Sequence, residues 1–248
     1  MRILEPATLF SHRTDIPSWL APTLIVAVPT DKDPAQHPQL LTQAAAQDPD
    51  TIAAVPTWGS AKRRAHWLAG RLAAQEAARR VMGWTQARVE TTQTGAPILT
   101  QGDQSVPVSI THSGTWALAA LNPALPLLGI DFEVGVRDKL YLKERVCSRQ
   151  EIELHGLEDP MLPLQERCDR LARIWVLKEA LLKAYGVGLV VGLKDFHAQT
   201  LEYDSPLHFK STQPLHQVIP HPLPSTLWSA VTHFDNHPLA LTALEPST

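Results

Sequence analysis

Two long segments of helical periodicity, each set among short apolar runs, constrain this chain more than any other feature. The first spans about Ser60 to Met82, with Ser60 placed as an N-cap and Gly83 as a terminator. Ala61, Ala65, Leu68 and Leu72 share one face of it, and Arg64 and Arg71 lie along the edge of that face. The second spans about Pro163 to Tyr185, opened by proline and stopped by Gly186. Its apolar stripe is Leu171, Ile174, Leu181, Leu182 and Tyr185. Lys178 falls inside that stripe, where an amine costs stability unless it meets an anion or reaches water. Around the helices the pattern predicts strands at Leu24–Val28, Pro107–Thr111, Trp116–Leu121, Leu128–Glu133 and Phe196–Tyr203. A further pair, Trp228–His233 and Leu239–Leu244, is joined by Asp235-Asn236-His237-Pro238, a turn sequence that predicts a hairpin. Prolines gather in Pro29–Pro56, Pro97–Pro126 and Pro206–Pro224, which read as loops, strand ends or linkers. Each half then holds a few strands and one long helix. That is an α+β pattern, divided here into residues 1–125 and 126–248, and not the strand–helix alternation of a Rossmann fold.

Composition narrows the class further. The chain has 248 residues, 44% of them hydrophobic, enough for a sizeable core. With 22 basic and 25 acidic residues the net charge is −3, which does not suit a nucleic-acid binder with a basic stripe. Cys147 and Cys168 have no C-x-x-C spacing and read as idle thiols in a reducing compartment. The longest apolar run near the N-terminus, Leu24 to Val28, is too short for a secretory or membrane segment. The expectation is a cytoplasmic protein with no membrane partner.

Three short stretches carry chemistry. In Gly129-Ile130-Asp131-Phe132-Glu133, a strand turns Asp131 and Glu133 to one side and Ile130 and Phe132 to the other. Paired carboxylates are either a solvated strand face or a hard-oxygen site suited to Mg2+. In Trp175-Val176-Leu177-Lys178-Glu179-Ala180-Leu181-Leu182-Lys183, Trp175, Glu179 and Lys183 recur every fourth residue along one flank. A solvated Glu–Lys pair accounts for Glu179 and Lys183 but not for Lys178. In Ser109-Ile110-Thr111-His112-Ser113-Gly114, a histidine at a strand end is flanked by hydroxyls and followed by glycine, which suits either a structural hydrogen bond or a phosphate.

Taken together, the order H-S-G, then G-I-D-x-E, then W-x-x-K-E-x-x-x-K-A-x-G-x-G-L resembles the Sfp-type 4′-phosphopantetheinyl transferases. Upstream, Arg64 through Leu-Ala-Gly-Arg71 is similar to the family's basic helix, and Thr94-Gly95-Ala96-Pro97 to its G-x-P turn. The resemblance covers about Trp58 to Leu193. It implies a pseudo-dimer in one chain, acting as a monomer, with two similar halves and coenzyme A in the cleft between them. It implies transfer of phosphopantetheine from coenzyme A to a serine of an apo acyl or peptidyl carrier protein, releasing 3′,5′-ADP.

The same resemblance assigns residues. Asp131, Glu133 and Glu179 would hold Mg2+ against the pyrophosphate, and Lys178 and Lys183 would bind phosphate oxygens, Lys183 with a catalytic share. Thr111, His112, Arg64 and Arg71 would take the nucleotide end, with Gly95 and Pro97 in the adjoining turn. Many members have lysine where this chain has Ala96, which removes one contact near the adenine. Glu151 would be the general base, but Ser148-Arg149-Gln150-Glu151 also fits a capping box, and the two readings stand side by side. Arg137, Lys139, Lys143, Arg145 and Arg149 would offer a carrier protein a basic patch, or form a solvated charged helix. The competing functions are a Mg-dependent hydrolase of coenzyme A or a nucleotide diphosphate, and a coenzyme A-binding module without catalysis.

Overall fold

The computed structural model describes residues 1–30, 42, 45–46, 60–135, 139–187, 192–198, 209–211 and 227–244. Its strands are β1 (Arg2–Leu4), β2 (Leu24–Pro29), β3 (Arg88–Thr91), β4 (Pro97–Gln101), β5 (Gln104–Pro107), β6 (Ser109–Ser113), β7 (Trp116–Leu121) and β8 (Leu128–Phe132). They continue with β9 (Phe196–Ala198), β10 (Phe209–Ser211), β11 (Leu227–Phe234) and β12 (His237–Leu244). The helices that matter to the site are α1 (Ala61–Met82), α2 (Arg149–Leu154) and α3 (Leu164–Ala184). The first main sheet runs β1-β2-β7-β6 and the second β11-β12-β8, all neighbours antiparallel.

β2 and β7 are apolar at nearly every position because each is covered on both faces. Ile25, Ala27, Leu118 and Ala120 point inward and pack with Ile130, Phe132, Leu239 and Leu241 of the second sheet. Val26, Val28, Ala117 and Ala119 point outward onto Leu68, Leu72 and Ala73 of α1. On the far side Val231 and Ala240 meet Val176, Leu177 and Ala180 of α3. The result is four layers, helix–sheet–sheet–helix. Each sheet carries one long helix, but the central core belongs to both, and the N-terminal segment reaches across it. Phe10 sets its ring edge-on to Trp228 at 5.4 Å, and Thr232 Oγ1 donates to the Leu9 carbonyl at 2.8 Å.

Local signals hold at the helix ends. The Ser60 hydroxyl accepts the Arg63 N–H, and Gly83 closes α1 at φ +70°. The C-terminal hairpin turns on Asp235 and Asn236 alone, both at positive φ, as a two-residue turn demands, so β12 already begins at His237. One strand expectation changes, one is only partly covered by the described residues, and one small sheet was not expected. Pro107 closes β5, and the next strand starts at Ser109, so the predicted Pro107–Thr111 is two strands. Only Phe196–Ala198 of Phe196–Tyr203 lies within the described residues. The β3-β4-β5 meander stands where prolines and polar residues suggested a loop.

One glycine decides how closely α3 approaches the second sheet. A Cβ on Gly129 would lie 1.9 Å from the Ala180 carbonyl oxygen and 2.6 Å from the Ala184 nitrogen. Both obstacles are backbone, so helix and strand would have to part. Gly129→Ala is expected to cost about 3 kcal/mol, the upper end of ordinary overpacking, read as a lowered urea midpoint at unchanged slope. A wild-type midpoint would show that the two elements separate without penalty.

Candidate active site

The site lies where the edge strands of the two sheets, β6 and β8, run side by side. No strand pairing joins them. Instead the odd residues of β6 point at β8, and their hydroxyls take the place of a ladder. Ser109, Thr111 and Ser113 accept the N–H groups of Ile130, Phe132 and Val134 at 2.9, 3.2 and 2.9 Å. Thr111 also donates to Asp131 Oδ1 at 2.9 Å, and Ser113 to Glu133 Oε1 at 3.2 Å. One row of hydroxyls thus joins the two sheets and orients both carboxylates.

The odd residues of β8 face α3, which brings Asp131 under Lys183. Lys183 Nζ donates to Asp131 Oδ1 at 2.6 Å. Glu179 stands one turn earlier on the same flank. Burial, then the charge of Asp131, raises the carboxyl pKa of both Glu133 and Glu179 above the usual range. A cation bound beside Glu133 and Glu179 would offset both causes and favour their charged forms. Among the described residues no three His, Cys, Asp or Glu side chains form a closed metal cage. Mg2+ is held by one or two carboxylates together with substrate phosphates and water, hard oxygen donors of the kind Asp131, Glu133 and Glu179 offer, so the residues present fit it.

The even residues of β6 face α1 on the other side. Gly70 lets the strand come close: a Cβ there would sit 2.9 Å from Ile110 Cγ2. Beside it the rings of His66 and His112 stack, with centroids 4.7 Å apart and planes 24° from parallel. His66 Nε2 is 3.0 Å from the Gly114 carbonyl oxygen, so that nitrogen carries the proton. These rings, with Arg63, Arg64, Arg71, Gly95 and Pro97, line a cavity of about 320 Å³. A second, more apolar cavity of about 490 Å³ shares Gly95, Pro97 and Ile110 with it and extends to Lys183 and Tyr185. At φ +89°, Gly95 makes the β3–β4 turn that walls both. On the far side of Glu179 a groove of about 360 Å³ runs between Leu142, Arg145, Val146, Trp175 and Leu193.

Of the residues singled out in the sequence, Arg64, Arg71, Gly95, Pro97 and His112 share one cavity, and Asp131, Glu133, Glu179 and Lys183 form the neighbouring charged cluster. Thr111 supports that cluster from beneath, buried, with its hydroxyl engaged by Asp131 and Phe132. Two assignments are corrected. Lys178 is fully buried, and its ammonium donates to Glu151 Oε2 at 2.7 Å and to the Leu193 and Val146 carbonyls at 2.8 and 3.0 Å. An ammonium has three donors, so none remains for a phosphate. Glu151, 1% exposed, closes the capping box with Ser148, accepts the Ala198 N–H at 2.8 Å and pairs with Lys178. Both of its oxygens are engaged, Oε2 by Ser148 and Lys178 and Oε1 by Ala198. It is a structural residue, not a general base.

The basic patch is also altered. Arg149 binds Glu153 and Glu158, Lys143 pairs with Glu158, and Arg137 lies outside the described residues. Arg63, His66, the close approach at Gly129 and the bonding of Ser109 and Ser113 to β8 were not evident in the sequence. A usable signal existed for the hydroxyls: S-x-T-x-S has the strand period and the length of the D-x-E strand it meets.

Fold and site define a cleft protein with an acidic cluster and a basic anion pocket side by side. A profile of the 4′-phosphopantetheinyl transferase superfamily matches residues 127–242, and one of the 4′-phosphopantetheinyl transferase N-terminal domain matches residues 54–122. The chain belongs to this family. It is 32% identical over 139 residues to the L-aminoadipate-semialdehyde dehydrogenase-phosphopantetheinyl transferase of Homo sapiens, covering 50% of this chain and 41% of that protein. It is 30% identical over 108 residues to a putative 4′-phosphopantetheinyl transferase of Haemophilus influenzae, covering 42% and 43%. The chain therefore spans less than half the length of these curated relatives. The holo-[acyl-carrier-protein] synthase of Helicobacter pylori, solved in complex with coenzyme A, aligns over 48% of this chain and 100% of its own at 20% identity and a TM-score of 0.36.

Proposed function

We propose that this chain transfers 4′-phosphopantetheine from coenzyme A to a serine hydroxyl of an apo carrier protein, with 3′,5′-ADP as the second product. The observation that supports it most is the continuity of the two sites: Lys183, paired with Asp131, stands at the end of a cavity whose shared walls lead into the arginine and histidine pocket. A diphosphate bridging them would set its nucleotide among the arginines and its pyrophosphate at Lys183. The serine oxygen attacks the β-phosphorus as the bond to the 3′,5′-ADP oxygen breaks. Mg2+ held by one or two carboxylates of the Asp131, Glu133 and Glu179 cluster would supply charge neutralisation at the leaving diphosphate. Lys183 contributes in the same direction. With Glu151 committed elsewhere, Glu179 is the carboxylate that lines the groove beside Arg145 and Trp175, where an oxygen of its carboxylate would take the serine proton. We take the protein to act as a cytoplasmic monomer; no described helix is long and apolar enough to cross a membrane.

The discriminating experiment incubates the protein with coenzyme A and Mg2+, with and without an apo carrier protein. Transfer predicts a carrier mass gain of one phosphopantetheine and 3′,5′-ADP release that depends on the carrier. Equal release without carrier would replace transfer by hydrolysis. Binding of coenzyme A with no release under either condition would leave a binding module.

A further inference from the structure

The histidine pair is built more tightly than an anion pocket with three arginines requires. His66 is buried, is anchored through Nε2 to the Gly114 carbonyl, and lays its ring against His112. Both rings line the cavity that Arg63, Arg64 and Arg71 make basic. We infer that the His66–His112 stack is a proton-accepting part of this pocket, which takes up a proton when a phosphate monoester enters. The inference rests on the reading of the cavity as a nucleotide-phosphate site.

The surroundings give the sign. His66 meets Lys62 on its own helix and His112 across the stack; His112 meets Arg63 of α1 and Lys183 of α3. Burial first, and these neighbouring charges after it, hold both rings below the ordinary histidine pKa, even though His112 keeps an exposed face. In the free chain both shifts favour the neutral form of the stack. A phosphate dianion offsets the cations that depress it and raises the pKa of the pair. A group whose pKa rises on binding strengthens that binding below its bound-state pKa and loses the effect as pH climbs through it. Nδ1 of His66 is the nitrogen left to receive a proton, since Nε2 already holds one against Gly114. Arginines alone would do the opposite: in a fixed cationic pocket a phosphate monoester with a second pKa of about 6 releases its proton to solvent.

The sign of proton exchange therefore tests the idea. 3′,5′-ADP is titrated into the protein by calorimetry near about pH 7, in buffers of different ionisation enthalpy, for wild type, His66→Phe and His66→Gln. Phenylalanine keeps a stacked ring without a proton site, and glutamine can keep the bond to Gly114 without one. Net proton uptake in wild type, reduced by at least about half in whichever variants fold, is the expected result, with affinity falling as pH rises. Proton release, no exchange, or uptake unchanged in the variants overturns the inference while leaving the nucleotide site standing. Failure of folded wild type to bind 3′,5′-ADP at all would instead remove the nucleotide reading, and this inference with it.

Discussion

Lys178→Met is expected to destabilise the protein by about 3–5 kcal/mol, the cost of leaving one partner of a buried ion pair uncompensated. Methionine matches the aliphatic length of lysine, so lost packing is a minor term. What remains is the Glu151 carboxylate, 1% exposed, with two backbone N–H donors and no cation. The carbonyls of Val146 and Leu193 also lose their donor. Such a loss is a large share of the stability of an ordinary domain, and a urea midpoint reads it directly. Adding Glu151→Gln should recover part of it, because the amide is neutral and its oxygen can still serve the Ser148 cap. Coenzyme A affinity of the folded fraction should not change in either variant. An unaltered midpoint in Lys178→Met, or weakened coenzyme A binding at unaltered stability, would return Lys178 to the phosphate site.

Asp131→Asn should separate catalysis from folding in the opposite sense. The amide oxygen can still accept the Thr111 hydroxyl, so the seam between β6 and β8 is kept. The charge of Asp131 raises the pKa of Glu133 and Glu179. Removing it relieves that repulsion but also takes the charged partner from Lys183, two effects of opposite sign, so the ligand-free melting temperature should change little. Turnover should fall by about 100- to 1000-fold, the loss typical of a group that stabilises transition-state charge. The rise in melting temperature that Mg2+ and coenzyme A give the wild type should shrink with it. Wild-type turnover of Asp131→Asn at saturating Mg2+ would take Asp131 out of the catalytic cluster.

The contrast between these two residues explains where sequence reading succeeded. Asp131 and Glu133 were legible because strand period alone puts them on one face, and no distant partner alters that. Trp175, Glu179 and Lys183 followed from helical period in the same way. The oddity of Lys178 was legible too, as a charge inside an apolar stripe that must meet an anion. Which anion was not. Two candidates satisfied the same physical demand, a substrate phosphate and a protein carboxylate, and Glu151 lies 27 residues away on another helix. Likewise the capping box at Ser148 was readable, but not that its glutamate carries a second duty to Ala198 and Lys178 on elements that meet it only after packing.

By itself, then, the sequence determined what depends on local geometry: helix spans and caps, the hairpin turn, the side of each strand that carries charge, and the α+β class. Those follow from backbone period and from side chains that bond within a few residues. Tertiary structure alone decided what depends on which edges meet. It set β6 against β8 so that hydroxyls replaced a ladder, brought α3 onto Gly129, stacked His66 on His112, and closed Lys178 onto Glu151. Each of these pairs distant segments, and each has several partners equally acceptable in chemistry. The choice among them was made by the packing of two sheets around one shared core, whose gain exceeds that of any single polar contact.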